Sequence, residues 1–185
     1  DRGLVQVYEW NGSDWVQRGA DLLGESTSSR YGTSLALSAD GLVMGVGANL
    51  YSTNRGRAYV YEWDGVEWNS RGTFTGGSAF DGLGEQVALS ADGTVFSLSV
   101  PELDDNATNG GSVRTYSWNG VSWIKRGSDI DGTVGDHLGE SLGISADGTV
   151  LAIGQENSSS TESVTIYEWG GSSWSLRRTL NGNFY

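Results

Sequence analysis

The sequence contains no cysteine and a single proline. The absence of cysteine excludes disulfides, zinc–thiolate sites and thiol nucleophiles. Basic residues are scarce, because 11 Lys and Arg stand against 23 Asp and Glu, which gives a formal net charge of −12. This balance argues against nucleic-acid binding, since phosphates are neutralised by clustered Lys and Arg. No apolar run reaches about 18 residues, so we expect no membrane span.

Glycine and aromatic residues are abundant instead, with 29 Gly, eight Trp and eight Tyr among 185 residues. Short runs rich in Val, Thr and Tyr alternate with turn dipeptides, and no stretch has the period of a helix. Such a composition is typical of short strands joined by tight turns. The sequence therefore predicts an all-β protein.

One hairpin pattern occurs four times, with two β-prone runs around Asn-Gly, Asp-Gly or Gly-Gly. Asn-Gly and Asp-Gly favour the type I′ turn of a two-residue hairpin. The second run of each copy begins with a tryptophan: Trp15, Trp68, Trp123 and Trp174. The period of roughly 50 residues indicates a repeat architecture.

A second hairpin pattern, built around Ser-Ala-Asp-Gly, lies between these copies and occurs three times. Its turns are at 38–41, 90–93 and 145–148. One repeat thus has four strands, A and B around Ser-Ala-Asp-Gly, then C and D in the Trp-rich hairpin. Small residues in A and B suit a crowded axis and bulky ones in C and D a wider rim, which predicts the four-stranded antiparallel blades of a β-propeller.

The repeat count predicts three complete blades and an N-terminal half blade within a single propeller domain, 1–185. The predicted boundaries are 1–19 for the half blade and 31–72, 83–127 and 138–180 for the blades. Propellers close with about four to eight blades. We therefore expect the chain to be a segment of a longer propeller, or a protomer that self-associates through its open blade edges.

The repeat resembles the FG-GAP repeat of the integrin α-subunit propeller. The positions that carry the resemblance are Tyr31-Gly32, Leu83-Gly84 and Leu138-Gly139 before strand A, and Gly47-Ala48-Asn49 after strand B. The resemblance implies an extracellular or cell-surface propeller. Many such repeats bind Ca²⁺ in the A–B turn, but Ser-Ala-Asp-Gly offers one carboxylate where calcium needs six to eight oxygens.

Few side chains point to a chemical site. Asp129, Asp131 and Asp136 form the densest acidic group and are our candidate metal ligands, with Ca²⁺ as the cofactor. His137 has no sequence-adjacent nucleophile, and we expect a solvated loop histidine. Three Asn-x-Ser/Thr sequons are candidate glycosylation sites: Asn11, Asn106 and Asn157.

These observations favour a non-catalytic extracellular module for adhesion, recognition or structural assembly, with a protein or glycan partner. The basis is the repeat, the acidic surface and the missing catalytic motif. Two alternatives stay open: the propeller domain of a carbohydrate-active enzyme and a structural subunit of an extracellular filament.

Overall fold

The structure, a computed structural model, describes residues 2–102, 109–156 and 162–182. Within these ranges the chain forms strands and turns, with one short helix, α1 (Tyr51–Asn54). No helix there is long and apolar enough to cross a membrane.

Three large antiparallel sheets follow one another along the chain, and we name them blades 1 to 3. Blade 1 contains β5 (Leu35–Leu37), β6 (Val43–Ala48), β7 (Arg57–Trp63) and β8 (Trp68–Thr75). Blade 2 contains β9 (Val87–Leu89), β10 (Val95–Val100), β11 (Ser112–Trp118), β12 (Trp123–Lys125) and β13 (Ile130–Asp131). Blade 3 contains β14 (Ser141–Ile144), β15 (Val150–Gln155), β16 (Ser163–Trp169) and β17 (Trp174–Asn181).

Two short strand pairs precede blade 1 and form the half blade. They are β1 (Leu4–Val5) with β4 (Leu22–Leu23), and β2 (Tyr8–Trp10) with β3 (Trp15–Gln17). The predicted hairpins pair as expected, and the all-β propeller fold is confirmed. Residues 22–23 and 130–131 lie outside the predicted boundaries of the half blade and the blades, yet they form strands β4 and β13. They do so because they continue strand D alongside the start of strand C.

The Ser-Ala-Asp-Gly segments form tight turns held by their own side chains. In blade 1, Asp40 Oδ1 accepts hydrogen bonds from Ser38 Oγ at 2.6 Å and from the backbone N–H of Leu42 at 2.9 Å. The glycine that follows, Gly41, has φ +69°, which a residue without Cβ adopts at little cost. The Asp40 carboxylate is thus engaged in hydrogen bonds within the turn.

The inner turns also join one blade to the next. The N–H of Ala39 donates to the carbonyl of Ala91 at 2.8 Å, and the N–H of Ala91 donates to that of Ala146 at 2.9 Å. Gly93 packs closely on Val43 of the preceding blade. The largest core cluster lies between blades 1 and 2 and includes the fully buried Phe96 and Leu98.

The outer hairpins are joined by tryptophan and arginine. The indole N–H of Trp68 donates to the carbonyl of Arg18 at 3.0 Å, and that of Trp174 to the carbonyl of Arg126 at 3.1 Å. The guanidinium of Arg126 lies 4.7 Å from the ring centre of Trp169. Through these contacts, the tryptophans anchor each of these outer hairpins on the preceding repeat.

Candidate functional site

Polar side chains meet at one end of blades 1 to 3, where strand A begins and strand B ends. Because A and B are antiparallel neighbours, these two points lie at the same edge of each sheet. Asn49 directly follows β6, Glu102 comes two residues after β10, and Glu140 directly precedes β14. The fold therefore collects residues that are up to about 90 positions apart in the chain.

A cleft of about 390 Å³ opens between these loops. Its walls carry three carboxylates and one exposed aromatic ring, Phe80, whose side chain is 61% exposed. The lining residues are Asn49, Leu50, Asn54, Phe80, Gly82, Glu85, Pro101, Glu102 and Glu140.

Glu102, His137 and Glu140 form a compact group at this cleft. One oxygen of each carboxylate and one imidazole nitrogen all lie within 4.8 Å of one another. His137 Nδ1 is 3.7 Å from Glu102 Oε1. His137 is held by its backbone, because its N–H donates to the carbonyl of Asn109 at 3.0 Å and Leu138, which follows it, is buried. These separations leave room for one bridging water or one reacting group between the side chains.

The carboxyl of Glu140 has a raised pKa. Partial desolvation is the main cause, although the side chain still contacts solvent, and the charge of Glu85 adds to it. Glu156 and Glu102 raise the pKa further, whereas His137 lowers it. A carboxylate whose proton affinity is raised by its surroundings is a stronger base than an isolated one.

Asn49 and Glu85 join the cleft across the boundary between blades 1 and 2. Asn49 Nδ2 donates a hydrogen bond to Glu85 Oε2. Close approach of the two backbones makes this contact, since a Cβ at Gly47 would overlap the carbonyl of Gly84. Asn49 is 4% exposed, and its Oδ1 is buried without a hydrogen-bond partner.

The same group could bind a divalent cation. Carboxylate oxygen and imidazole nitrogen are ligands that Zn²⁺ accepts, and among the described ranges Glu102, His137 and Glu140 are the one set of three such side chains this close together. These three side chains can therefore either transfer protons or bind a metal ion, because both uses require the same lone pairs.

The three aspartates predicted from sequence to bind a metal each make separate contacts with other residues. Asp129 pairs with Lys125 at 2.8 Å and with Arg114 at 3.4 Å. Asp136 is buried and accepts hydrogen bonds from the backbone and hydroxyl of Thr133. Asp131 lies on β13 opposite Ser112. The structure does not assemble these three carboxylates into a compact group of potential ligands, and calcium binding there stays a prediction.

The glycosylation candidates fall on both described and undescribed parts of the chain. Asn11 is exposed in the turn after β2, and its Oδ1 accepts hydrogen bonds from the backbone N–H groups of Ser13 and Asp14, each at 2.9 Å. Asn106 and Asn157 lie outside the described residues. Glycosylation at all three stays a prediction.

Sequence reasoning recognised His137 but missed its surroundings. The three members of the cleft group belong to the loop after β10 and the segment before β14, so no local motif unites them. The only signal was the acidic residue after Leu-Gly in two repeats, Glu85 and Glu140, which the repeat pattern places at equivalent positions.

Comparison with known proteins gives structural neighbours only. No protein-family model matches the sequence, and no curated protein is similar to it. A candidate 6-phosphogluconolactonase from Bacteroides uniformis superimposes with a TM-score of 0.62 at 14% identity, over 95% of this chain and 47% of its own. A candidate 6-phosphogluconolactonase from Bacteroides fragilis gives a TM-score of 0.64 at 11% identity, and the match covers 96% of this chain and 48% of the neighbour's chain. TolB from Acinetobacter baumannii gives a TM-score of 0.50 at 13% identity, and the match covers 85% of this chain and 34% of TolB.

These neighbours correct two expectations. The FG-GAP resemblance is wrong, since these three solved structures that share the fold are two candidate lactonases and TolB rather than integrin propellers. The expectation of a non-catalytic extracellular adhesion module, and of no enzyme, is overturned because two of these neighbours are candidate enzymes. The chain spans about half the length of each candidate lactonase, and at this identity the likeness establishes the fold alone.

Proposed function

We propose that this chain forms the catalytic part of a propeller hydrolase that opens sugar lactones. The observation that supports this proposal is the group Glu102, His137 and Glu140, whose carboxylate oxygens and imidazole nitrogen lie within 4.8 Å of one another. Both carboxylates of the group line the open cleft. Lactone opening needs a base for water and an acid for the departing ring oxygen. The names of the two candidate lactonases that share the fold support this reaction class.

The proposed reaction uses one water and no redox change. The Glu140 carboxylate accepts a proton from water as the water oxygen bonds to the lactone carbonyl carbon. The bond from that carbon to the ring oxygen then breaks, and His137 in its imidazolium form gives its proton to the leaving oxygen. The product is an open-chain hydroxy acid, and the proton on Glu140 returns to His137 through solvent. Glu102 Oε1 lies 3.7 Å from His137 Nδ1 and helps to hold the imidazole in place.

The charge of the cleft favours an unphosphorylated sugar lactone. Glu85, Glu102 and Glu140 all line it, and the chain carries a formal net charge of −12. A phosphate group at this place meets three carboxylates, and this repulsion between like charges is destabilising. We therefore expect a neutral 1,5-lactone to be hydrolysed in preference to its 6-phosphate.

Rate measurements by pH-stat titration test the proposal. The wild-type chain is expected to hydrolyse a sugar 1,5-lactone faster than buffer does, and Glu140→Gln, which keeps the shape but removes the base, is expected to lose about 10²- to 10⁴-fold in kcat. Glu67→Gln, an exposed change in the turn between β7 and β8, is the matched control and should leave the rate unchanged. A wild-type rate equal to that of buffer, or a Glu140→Gln variant with full activity, contradicts the proposal.

Phe80 supplies a second test that concerns binding rather than chemistry. Its exposed ring at the cleft offers an apolar face for the C–H groups of a sugar ring. We expect Phe80→Leu to raise KM by about tenfold with little change in kcat, because stacking stabilises the bound ground state and the transition state alike. Val66→Ala, at an exposed apolar position away from the cleft, is the control. An unchanged KM in the Phe80 variant would remove this residue from the substrate site.

A further inference from the structure

The cleft at the edge of blades 1 to 3 carries an excess of negative charge. Glu85, Glu102 and Glu140 line it, and none of its described lining residues is a lysine or an arginine. The one base in the compact group at this cleft is the imidazole of His137, whose Nδ1 is 3.7 Å from Glu102 Oε1. Three carboxylates thus face at most one positive charge, so a bound cation relieves their mutual repulsion.

The carboxyl of Glu140 responds to this charge. Besides burial, which is the main cause, the charges of Glu85, Glu156 and Glu102 raise its pKa. These carboxylates come from different blades, because Glu85 precedes β9 of blade 2 and Glu156 directly follows β15 of blade 3. A cation among them is stabilised by several carboxylates at once.

Asn49 contributes an unused acceptor to the same cleft. Its side chain lines the cleft and is 4% exposed. The amide Nδ2 donates to Glu85 Oε2, but Oδ1 is buried without a hydrogen-bond partner among the described residues. A buried carbonyl oxygen without a donor is destabilising, and a ligand that carries N–H groups removes this cost.

The remaining walls of the cleft favour an organic ligand over a bare metal ion. Phe80, whose side chain is 61% exposed, lines the cleft together with Leu50 and Pro101. An aromatic face attracts an ammonium group, and apolar walls suit a hydrocarbon chain. The volume of about 390 Å³ is also far larger than one ion fills.

We propose that this cleft binds an aliphatic diamine. One ammonium group donates to Asn49 Oδ1 and to Glu85, and the other lies between Glu102 and Glu140, while the methylene chain packs on Phe80. An ammonium group has donors only, which matches walls whose charged groups only accept. The diamine competes with a lactone for the same cleft, but its binding does not depend on the proposed enzyme activity.

Isothermal titration calorimetry with diaminobutane, which has an ammonium group at each end, tests this proposal. At low ionic strength we expect one diaminobutane per chain. Butylamine has the same chain length but one ammonium group, and it should bind at least about tenfold more weakly. Butanediol, which carries no charge, should give no heat beyond dilution.

Two variants and a matched control locate the bound diamine. Glu102→Gln, at an exposed position of the cleft, should weaken diaminobutane binding about tenfold, because it removes a charge and keeps the shape. Phe80→Leu should weaken it about threefold, since the aromatic face is lost. Glu67→Gln removes the same charge in the turn between β7 and β8 and should bind normally. Circular dichroism and melting temperature establish that each variant is folded.

Other results would overturn the diamine site. Equal affinity for diaminobutane and butylamine contradicts it, and so does binding that Glu102→Gln leaves intact. An equal loss in Glu67→Gln would trace the binding to net charge rather than to the cleft. Calorimetry needs no turnover, so a chain that binds diaminobutane but opens no lactone contradicts the proposed function alone. A chain that opens lactones without binding diaminobutane contradicts the diamine site alone.

Discussion

Three aspartates show how one side chain fixes a repeated turn. Asp40, Asp92 and Asp147 accept a hydrogen bond from the serine two residues earlier, at 2.6 Å in each case. The ionised carboxylate of Asp147 accepts hydrogen bonds from the hydroxyl of Ser145 and from the hydroxyl and backbone N–H of Thr149, and these bonds lower its pKa to about 2. A lowered pKa means that the folded chain binds the proton more weakly than the unfolded chain does.

The aspartate turns predict a loss of stability in acid. Above the unfolded pKa of 3.8, the ionised Asp147 contributes its full stabilisation, and that contribution is lost as the pH falls towards about 2. We expect Asp147→Asn to flatten the pH dependence of the free energy of unfolding in this window. Unfolding titrations with guanidinium at a series of pH values measure this pH dependence. Asp14→Asn, in an exposed outer turn, is the control. An unchanged slope in Asp147→Asn would show that the turn hydrogen bonds do not set this dependence.

The cleft histidine and carboxylates predict inhibition by zinc. Zn²⁺ bound to Glu140 and His137 occupies the lone pairs that the proposed proton transfers use. We expect Zn²⁺ to slow lactone hydrolysis and to raise the melting temperature by mass action.

Titration calorimetry with Zn²⁺ separates this prediction from the enzyme assay. His137→Asn is the suitable variant, because residue 137 has φ +45° and asparagine tolerates that conformation better than most side chains. Its zinc affinity should fall about tenfold or more, since the imidazole ligand is lost. Stimulation of hydrolysis by Zn²⁺ would instead make the metal part of the catalyst.

At the scale of elements, the A strands provide a matched pair of leucines. Leu89 and Leu37 occupy the same position of the repeat, but Leu89 is 9% exposed and Leu37 is 51% exposed. Only Leu89 lies in the core cluster between blades 1 and 2.

Truncation of this pair should have unequal costs. We expect Leu89→Ala to lower the free energy of unfolding by about 2 to 4 kcal/mol, through lost burial and a residual cavity. Leu37→Ala should cost about 1 kcal/mol or less, because its side chain remains largely in water. Denaturant unfolding followed by tryptophan fluorescence measures both changes. Equal costs would mean that β5 is covered in solution.

The strand elements were predictable from sequence, but the cleft was not. Asp-Gly and Asn-Gly impose local turn geometry, so the hairpins could be placed from a few adjacent residues. His137 is placed near Glu102 by long-range backbone hydrogen bonds, which run from the N–H groups of His137 and Leu138 to the carbonyls of Asn109 and Gly110. No short-range rule encodes that contact. The strands at residues 22–23 and 130–131 were missed for a similar reason, because they pair across a distance with the beginning of strand C.

At the scale of the whole molecule, burial decreases from the inner strands to the rim. All six residues of β6 and of β10 are buried, whereas seven of the eight residues of β17 are exposed. We expect amide hydrogen exchange to be slowest in β6 and β10 and faster in β17, since opening free energy follows local burial. Mass spectrometry of exchanged peptides measures this order. Uniform protection across blade 3 would indicate that β17 is covered in solution.

The contact between successive inner turns has a consequence for the history of the sequence. Each blade meets its neighbour through the same few groups, an alanine N–H to an alanine carbonyl and a glycine against a valine. A duplicated repeat therefore arrives with both halves of its own interface already matched. Propellers with different numbers of blades can therefore arise by duplication of the DNA that encodes one repeat, without new mutations at the interfaces between blades.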